Sequence, residues 1–327
     1  MIAITLGLIL STAIIQVFLA SRTTYQVQES LSMIQENARF GMHFMGKEIR
    51  MSGYMGCNSV GNIEVNVIAK PASAVDFLPL QGEDDVAKSN DFNALAGTDT
   101  LEIKRGSDDA VTLTGNLAPS NSSIQIEDNT YNIVKNDYVL VSDCTSADVF
   151  RVTNTPKEAG KGTTSLDHGS AANSSNRLSK IYGGDSEVFG FQTTRFFIRD
   201  SGRDTAGGQP IYSLYSQQRS LGSGGAMGAA VELIEGVENL QLEYGIDSDG
   251  DRAINRYVKA PAVADWNTVV SVRVELTLAA NDVGVVGRSG QADAQSVYDT
   301  SGQLIDNTDG RMRQVFSSVF AVRNRLP

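Results

Sequence analysis

The chain opens with MIAITLGLILSTAIIQVFLA (residues 1–20) and continues without a linker into SRTTYQVQESLSMIQENARFGMHFMGKEIRMSGYMGC (residues 21–57). Eleven of the first twenty positions are Ile, Leu, Val or Phe, and the first charge is Arg22. At about 1.5 Å per residue, a helix over this run is roughly 30 Å long, the thickness of a hydrocarbon core. Its apolar residues gain roughly 0.3–0.6 kcal/mol each on insertion, which outweighs Thr5, Ser11, Thr12 and Gln16. A cleaved secretory signal and a buried core helix are the competing readings. The run exceeds the roughly 7–15 apolar residues of a signal, no basic segment precedes it, and Val17-Phe18-Leu19-Ala20 is a poor cleavage site. A core helix of this length is expected to carry a charge or a proline, and this run has neither.

From Val27 the apolar positions are Val27, Leu31, Ile34, Ala38, Met42, Met45 and Ile49, one stripe of a 3.6-residue period. Glu29, Ser32, Gln35, Glu36, Arg39 and Lys47 occupy the other faces. No Pro or Gly interrupts the segment before Gly41, and Gly53 and Gly56 give the stop signal. The expectation is one continuous helix, in lipid over residues 1–20 and packed on a folded head over residues 21–52.

The 327 residues carry a net charge of −11, with a pI near 4.7. No basic stripe exists to neutralise phosphates, so nucleic acid is excluded as a partner. About 270 residues beyond the helix suffice for one large or two small domains. Cys57 and Cys144 are the only cysteines. Beyond a membrane segment, in an oxidising compartment, the pair reads as one disulfide, which stabilises by roughly 4–5 kcal/mol on the chain-entropy model.

The head (residues 53–327) reads as β-rich with long polar loops. Strands are expected at Thr98–Arg105, Tyr138–Val141, Val149–Val152, Val188–Arg199, Ile211–Tyr215 and Leu240–Tyr244. The strongest is Val270–Leu278, with five apolar positions in strict alternation, so one buried face and one wet face are expected. Gln314–Asn324 is expected to close the sheet. Residues 157–177 read as a loop and a candidate subdivision, residues 200–209 as a long mobile hairpin tip, and residues 222–228 as a flexible loop. Strands joined by loops imply antiparallel pairing, and a helix must cover the sheet, so the fold class is α+β.

At this point the chain resembles the PilW family of type IV pilus minor pilins. The resemblance rests on MIAITLGLIL, on the stretch from FLASRTTYQ to GYMGC, and on DYVLVSDC, LIEGVENLQLEYGIDSDGD, VVSVRVEL and RQVFSSVFAVRNRLP. It implies a pilin-like fold, a long N-terminal helix packed on an antiparallel sheet. It implies a single-pass inner-membrane protein with a periplasmic head, later assembled into an extracellular fibre. It also implies as partners other minor pilins, the major pilin, the inner-membrane assembly machinery and a PilY-type tip adhesin. Members begin with a basic leader, a cleavage site and an FTLIEL-like segment before the MIAI stretch, so a longer natural precursor is expected.

Asp247, Asp249, Asp251 and Asn255 stand at positions 1, 3, 5 and 9 of a turn, a spacing that wraps oxygens round one Ca²⁺. Arg252 replaces the usual Gly at position 6 and Val258 the closing Glu, so a solvated acidic turn is the alternative. His43 and His168 are far apart, the latter expected to be solvated. Trp266 is expected to anchor the core. No GxSxG, P-loop, HExxH or CxxC motif occurs, and no enzyme or organic cofactor is expected. The expected function is a minor pilin that primes the fibre near its tip, in support of adhesion and twitching motility. The alternatives are a pseudopilin of type II secretion and a membrane-tethered Ca²⁺-dependent binding module.

Overall fold

A computed structural model of the chain describes residues 2–325 apart from 58–62, 64, 72–77, 116–118, 287–294 and 306–308. Met1, the first residue of the expected span, lies outside them. Among the described residues one α-helix, α1 (Ile2–Met51), is followed by sixteen strands. They are β1 (Val65–Val67), β2 (Leu80–Glu83), β3 (Thr100–Thr112), β4 (Ile124–Ile126), β5 (Tyr138–Ser142), β6 (Ala147–Arg151), β7 (Thr164–Leu166) and β8 (Glu187–Asp204). The second half adds β9 (Pro210–Arg219), β10 (Val231–Glu235), β11 (Val237–Ile246), β12 (Arg256–Val258), β13 (Val269–Ala279), β14 (Val297–Tyr298), β15 (Leu304–Ile305) and β16 (Arg313–Ala321). The fold is α+β, one long helix against extensive sheet.

An eight-stranded sheet runs β1-β6-β5-β8-β3-β2, with β9 and β10 added beside β8. The fork arises because β8 is long: residues 187–190 pair with β5, and residues 193–204 pair with β9. A four-stranded antiparallel sheet has the order β12-β11-β13-β16. β1 pairs with β6 in parallel, so loop connections do not impose antiparallel order everywhere.

The largest core lies between α1, the four-stranded sheet and the inner end of the larger sheet. A second core packs Val139, Val141 and Phe150 under Ile124, Ile126 and Leu166. This core corrects the reading of residues 157–177 as a plain loop. Leu166 is fully buried on β7, which pairs with β4, and a lone apolar residue among Gly, Ser and Thr gives too weak a period to announce a strand. His168 is buried rather than solvated, edge-on to the Phe150 ring at 5.4 Å with its Nε2 3.0 Å from the Ser122 carbonyl.

Two further expectations are corrected. The tip of the β8–β9 hairpin is short, because the ladder continues past a bulge near Asp200 to Asp204 and Pro210. Thr205 closes the turn, donating its N–H to the Gln209 carbonyl and accepting from Gln209 N. On β13 the polar face is not wet: Ser271, Glu275 and Thr277 are buried and only Arg273 is partly exposed. Thr300, between β14 and β15, donates both its N–H and its hydroxyl to the Glu275 carboxylate, and Arg273 lies 4.0 Å over the Tyr257 ring. A second layer of polar contacts therefore covers that face.

Candidate functional site

The functional feature is α1 and its seat. Over its first half, each of the eleven apolar residues from Ile2 to Leu19 is 53–78% exposed. Leaving a large apolar side chain in water forgoes roughly 1.5–3 kcal/mol, so eleven forgo up to roughly 17–33 kcal/mol. That exceeds the roughly 5–15 kcal/mol by which a domain is stable, so this half needs apolar neighbours beyond the chain itself. The helix is long and apolar enough to cross a membrane and fits a membrane anchor. Its polar groups are suited to lipid: the hydroxyls of Thr5 and Thr12 each donate 2.8 Å bonds back to the carbonyls of Ile2 and Leu8.

The second half sinks into the head. Along the stripe, Val27, Leu31 and Met42 are half-buried, and Ile34, Ala38, Met45 and Ile49 are buried against Leu101, Ile103, Leu214 and Leu276. Phe44 stands edge-on to Phe196 at 6.0 Å. Three residues to which the sequence reading gave no packing role set the depth of this seat. At Gly41 a Cβ would lie 2.6 Å from Ile234 Cδ1, and at Gly46 it would lie 2.4 Å from the Phe320 ring. Glu48, 4% exposed, reaches Arg105 of β3, 3% exposed, which also holds Asp108 at 2.6 Å. Burial pulls the Arg105 guanidinium down, and these acids outweigh it, so the group stands above its ordinary value.

The helix end is tied down as well. Gly53 N donates to the Lys104 carbonyl, the Ser52 hydroxyl to the Pro79 carbonyl, and Asn324 Nδ2 to the Ser52 carbonyl at 2.9 Å. Cys57 and Cys144 form a disulfide with 5.4 Å between their Cα atoms, joining the tract after the helix to the β5–β6 turn. His43 is exposed on the helix. Trp266 is half-buried and edge-on to the buried Tyr244 at 4.8 Å, so it rims the core instead of filling it.

Asp247, Asp249 and Asp251 place carboxylate oxygens within 4.8 Å of one another. Burial pushes the Asp247 carboxyl up, but it accepts from the N–H of Gly250 and of Arg252, and these and its other loop bonds together hold it below the usual range. Arg252 adopts φ +67°, the left-handed turn that Gly would otherwise supply. Asn255 accepts from Ser248 N at 2.6 Å and donates to Asp249 at 3.2 Å, so it closes the loop through its amide.

No curated protein and no solved structure matches the chain. Residues 195–324 hold the whole four-stranded sheet and most of the surface on which the helix sits. That region, about two fifths of the chain, matches the family model PilW, Type IV Pilus-assembly protein W, which supports a role related to type IV pilus assembly.

Proposed function

We propose that this chain is a minor pilin that primes type IV pilus assembly and stays at or near the fibre tip, in support of adhesion and twitching motility. The observation that carries the reading is mechanical. One unbroken helix exposes an apolar half and has its other half locked into a head by packing, a buried ion pair and backbone bonds. In this reading lipid covers the apolar half while the subunit waits in the inner membrane with its head in the periplasm. Helices of other minor pilins and of the major pilin cover it in the fibre, once the assembly machinery extracts it. A lipid-to-helix exchange keeps the apolar surface dry throughout, so extraction does not forfeit its burial. The work is done by shape and contact, not by catalysis, and a PilY-type adhesin is the expected neighbour at the tip. The Asp247–Asn255 loop is proposed as a Ca²⁺ loop that stiffens the β11–β12 connection.

The test is fractionation. Immunoblots of sheared surface fibres are expected to contain the chain at low copy, and deletion is expected to lower the number of fibres. Retention wholly in the membrane with normal fibre numbers would refute the reading. Loss of protein secretion with pili intact would favour a type II pseudopilin.

A further inference from the structure

A cavity of about 240 Å³ opens beside the 3-10 turn Trp266–Thr268, between that turn, the end of β2, the start of β3 and the middle of β8. Its floor shares Leu101 and Phe196 with the seat of α1, while its polar and aromatic walls take no part in that seat. Its walls are aromatic: Trp266 on one side, and Phe92 stacked on Phe197 at 5.8 Å on another. The half-exposed guanidinium of Arg195 is fixed in place. Its Nε is bonded to Glu102, and its plane lies 4.8 Å over the Phe92 ring. The terminal nitrogens of Arg195 have no protein acceptor among the described residues, so a preorganised fork of donors faces the cavity. Glu102 also takes Lys104 at 3.1 Å and the amide of Gln81 at 3.4 Å.

The chemistry of this lining is selective. Of the lining charges, Glu102 is paired with Arg195 and, from behind the wall, with the buried Lys104, which together with Glu83 leaves no net charge to hold an ion. An anion is further opposed by Asp84 and Asp85 just beyond β2 and Asp99 just before β3, which also act on Lys259. An organic cation is opposed by the fixed guanidinium of Arg195, which already covers the Phe92 face. What remains is an aromatic wall beside free donors and acceptors. A pyranose matches it, with an apolar C–H face for a ring and hydroxyls that both donate and accept. The cavity is smaller than the roughly 300–1,000 Å³ of drug-sized pockets, which fits one sugar ring and not a chain.

We propose that this cleft binds a neutral pyranose, stacked on Trp266 and clasped by Arg195 and Gln81, so that the head recognises a terminal sugar of a surface glycan. The proposal stands on the cleft and not on the assembly role.

Trp266 is the single tryptophan of the chain, so its fluorescence reports the site directly. The full chain, in a detergent without a sugar headgroup, is titrated with glucose, galactose, mannose and N-acetylglucosamine, with glucuronate as the charged comparison. The expected result is a saturable change in emission at millimolar concentration with at least one neutral sugar, and saturation-transfer NMR signals from the same sugar. Arg195→Gln is expected to weaken it at least tenfold, and Gln81→Ala severalfold, with circular dichroism unchanged. If Arg195→Gln does not fold, Gln81→Ala carries the comparison. The proposal is overturned by the absence of saturable emission change and of saturation transfer with all four sugars. Equal binding by the folded variants, or binding of glucuronate alone that salt abolishes, overturns it too.

Discussion

Glu48 on the helix and Arg105 on β3 share two hydrogen bonds, 3.1 Å to Nε and 3.2 Å to Nη2, with both side chains buried. The pair sits where the apolar stripe gives way to the helix end, so it fixes how far the helix enters the head. Removing Glu48 leaves the buried Arg105 guanidinium with only the half-exposed Asp108 and the Gly106 carbonyl, and breaking a buried pair costs up to about 3–5 kcal/mol, whereas replacing both with apolar groups is near neutral. Glu48→Ala is therefore expected to lower the melting temperature sharply, and Glu48→Ala with Arg105→Met to recover most of the loss. Equal melting temperatures for wild type and Glu48→Ala would refute the assigned role.

Gly46 lies against Phe320 with no room for a methyl group, and Gly41 stands in the same relation to Ile234. Gly46→Val is expected to cost about 1–3 kcal/mol through overpacking, even though Val tolerates a helix better than Gly does. Phe320→Leu in the same chain is expected to restore part of that loss. Chemical denaturation of the three variants measures both effects.

These contacts show what the sequence could and could not reveal. The stripe from Val27 to Ile49 is visible because burial recurs at a fixed period, and the β13 alternation for the same reason. Gly41, Gly46 and Glu48 break no periodic rule when read along the helix. Their meaning comes from Ile234, Phe320 and Arg105, residues far away in the chain. The cover on the polar face of β13 likewise depends on Thr300 returning to Glu275, which no local pattern announces. The Trp266 cleft was equally hidden, since Arg195, Glu102, Phe92 and Trp266 meet only through the packing of two sheets.

Asp99 substitutes for a strand. Its N–H donates to the Leu240 carbonyl at 2.9 Å and its carboxylate accepts from Leu242 N at 2.7 Å, along a stretch of β11 that β12 leaves uncovered. Burial pushes its carboxyl up to about 6 from the ordinary 3.8, against the pull of the Asp85 and Leu242 amides. A raised value means the folded state holds the proton more tightly than the unfolded one. This contribution is full below about pH 3.8 and is lost as pH rises to about 6, a change of about 3 kcal/mol. Asp143, held down at about 2 by Lys180 and the Thr145 and Ser146 amides against its burial, acts with the opposite sign between about pH 4 and 2. Stability of wild type relative to Asp99→Asn is expected to fall from pH 4 to pH 6. A flat difference across that window would remove the assignment.

The Asp247–Asn255 loop is already folded by its own hydrogen bonds, so an ion would enter a formed ring of oxygens. Calorimetry of the full chain in detergent is expected to show heat with millimolar Ca²⁺ and a higher melting temperature. Asp249→Asn with Asp251→Asn is expected to abolish both. Absence of heat, together with a melting temperature indifferent to chelator, would identify the loop as a solvated turn.

The apolar half of the helix gives the most direct test of how the chain is held. A single Lys or Asp at the centre of a spanning helix costs roughly 2.5–3.5 kcal/mol on insertion scales. Leu10 lies midway between Ile2 and Leu19 and is 64% exposed, so no contact with the head depends on it. Leu10→Asp alone is expected to weaken membrane retention, and Leu10→Asp with Ile14→Lys to release much of the chain into the soluble fraction. The head should be unaffected, because the buried stripe begins at Ile34. Near-ultraviolet circular dichroism of the released double variant should match that of the wild type in detergent. Full membrane retention of the double variant would mean that something other than this segment holds the chain.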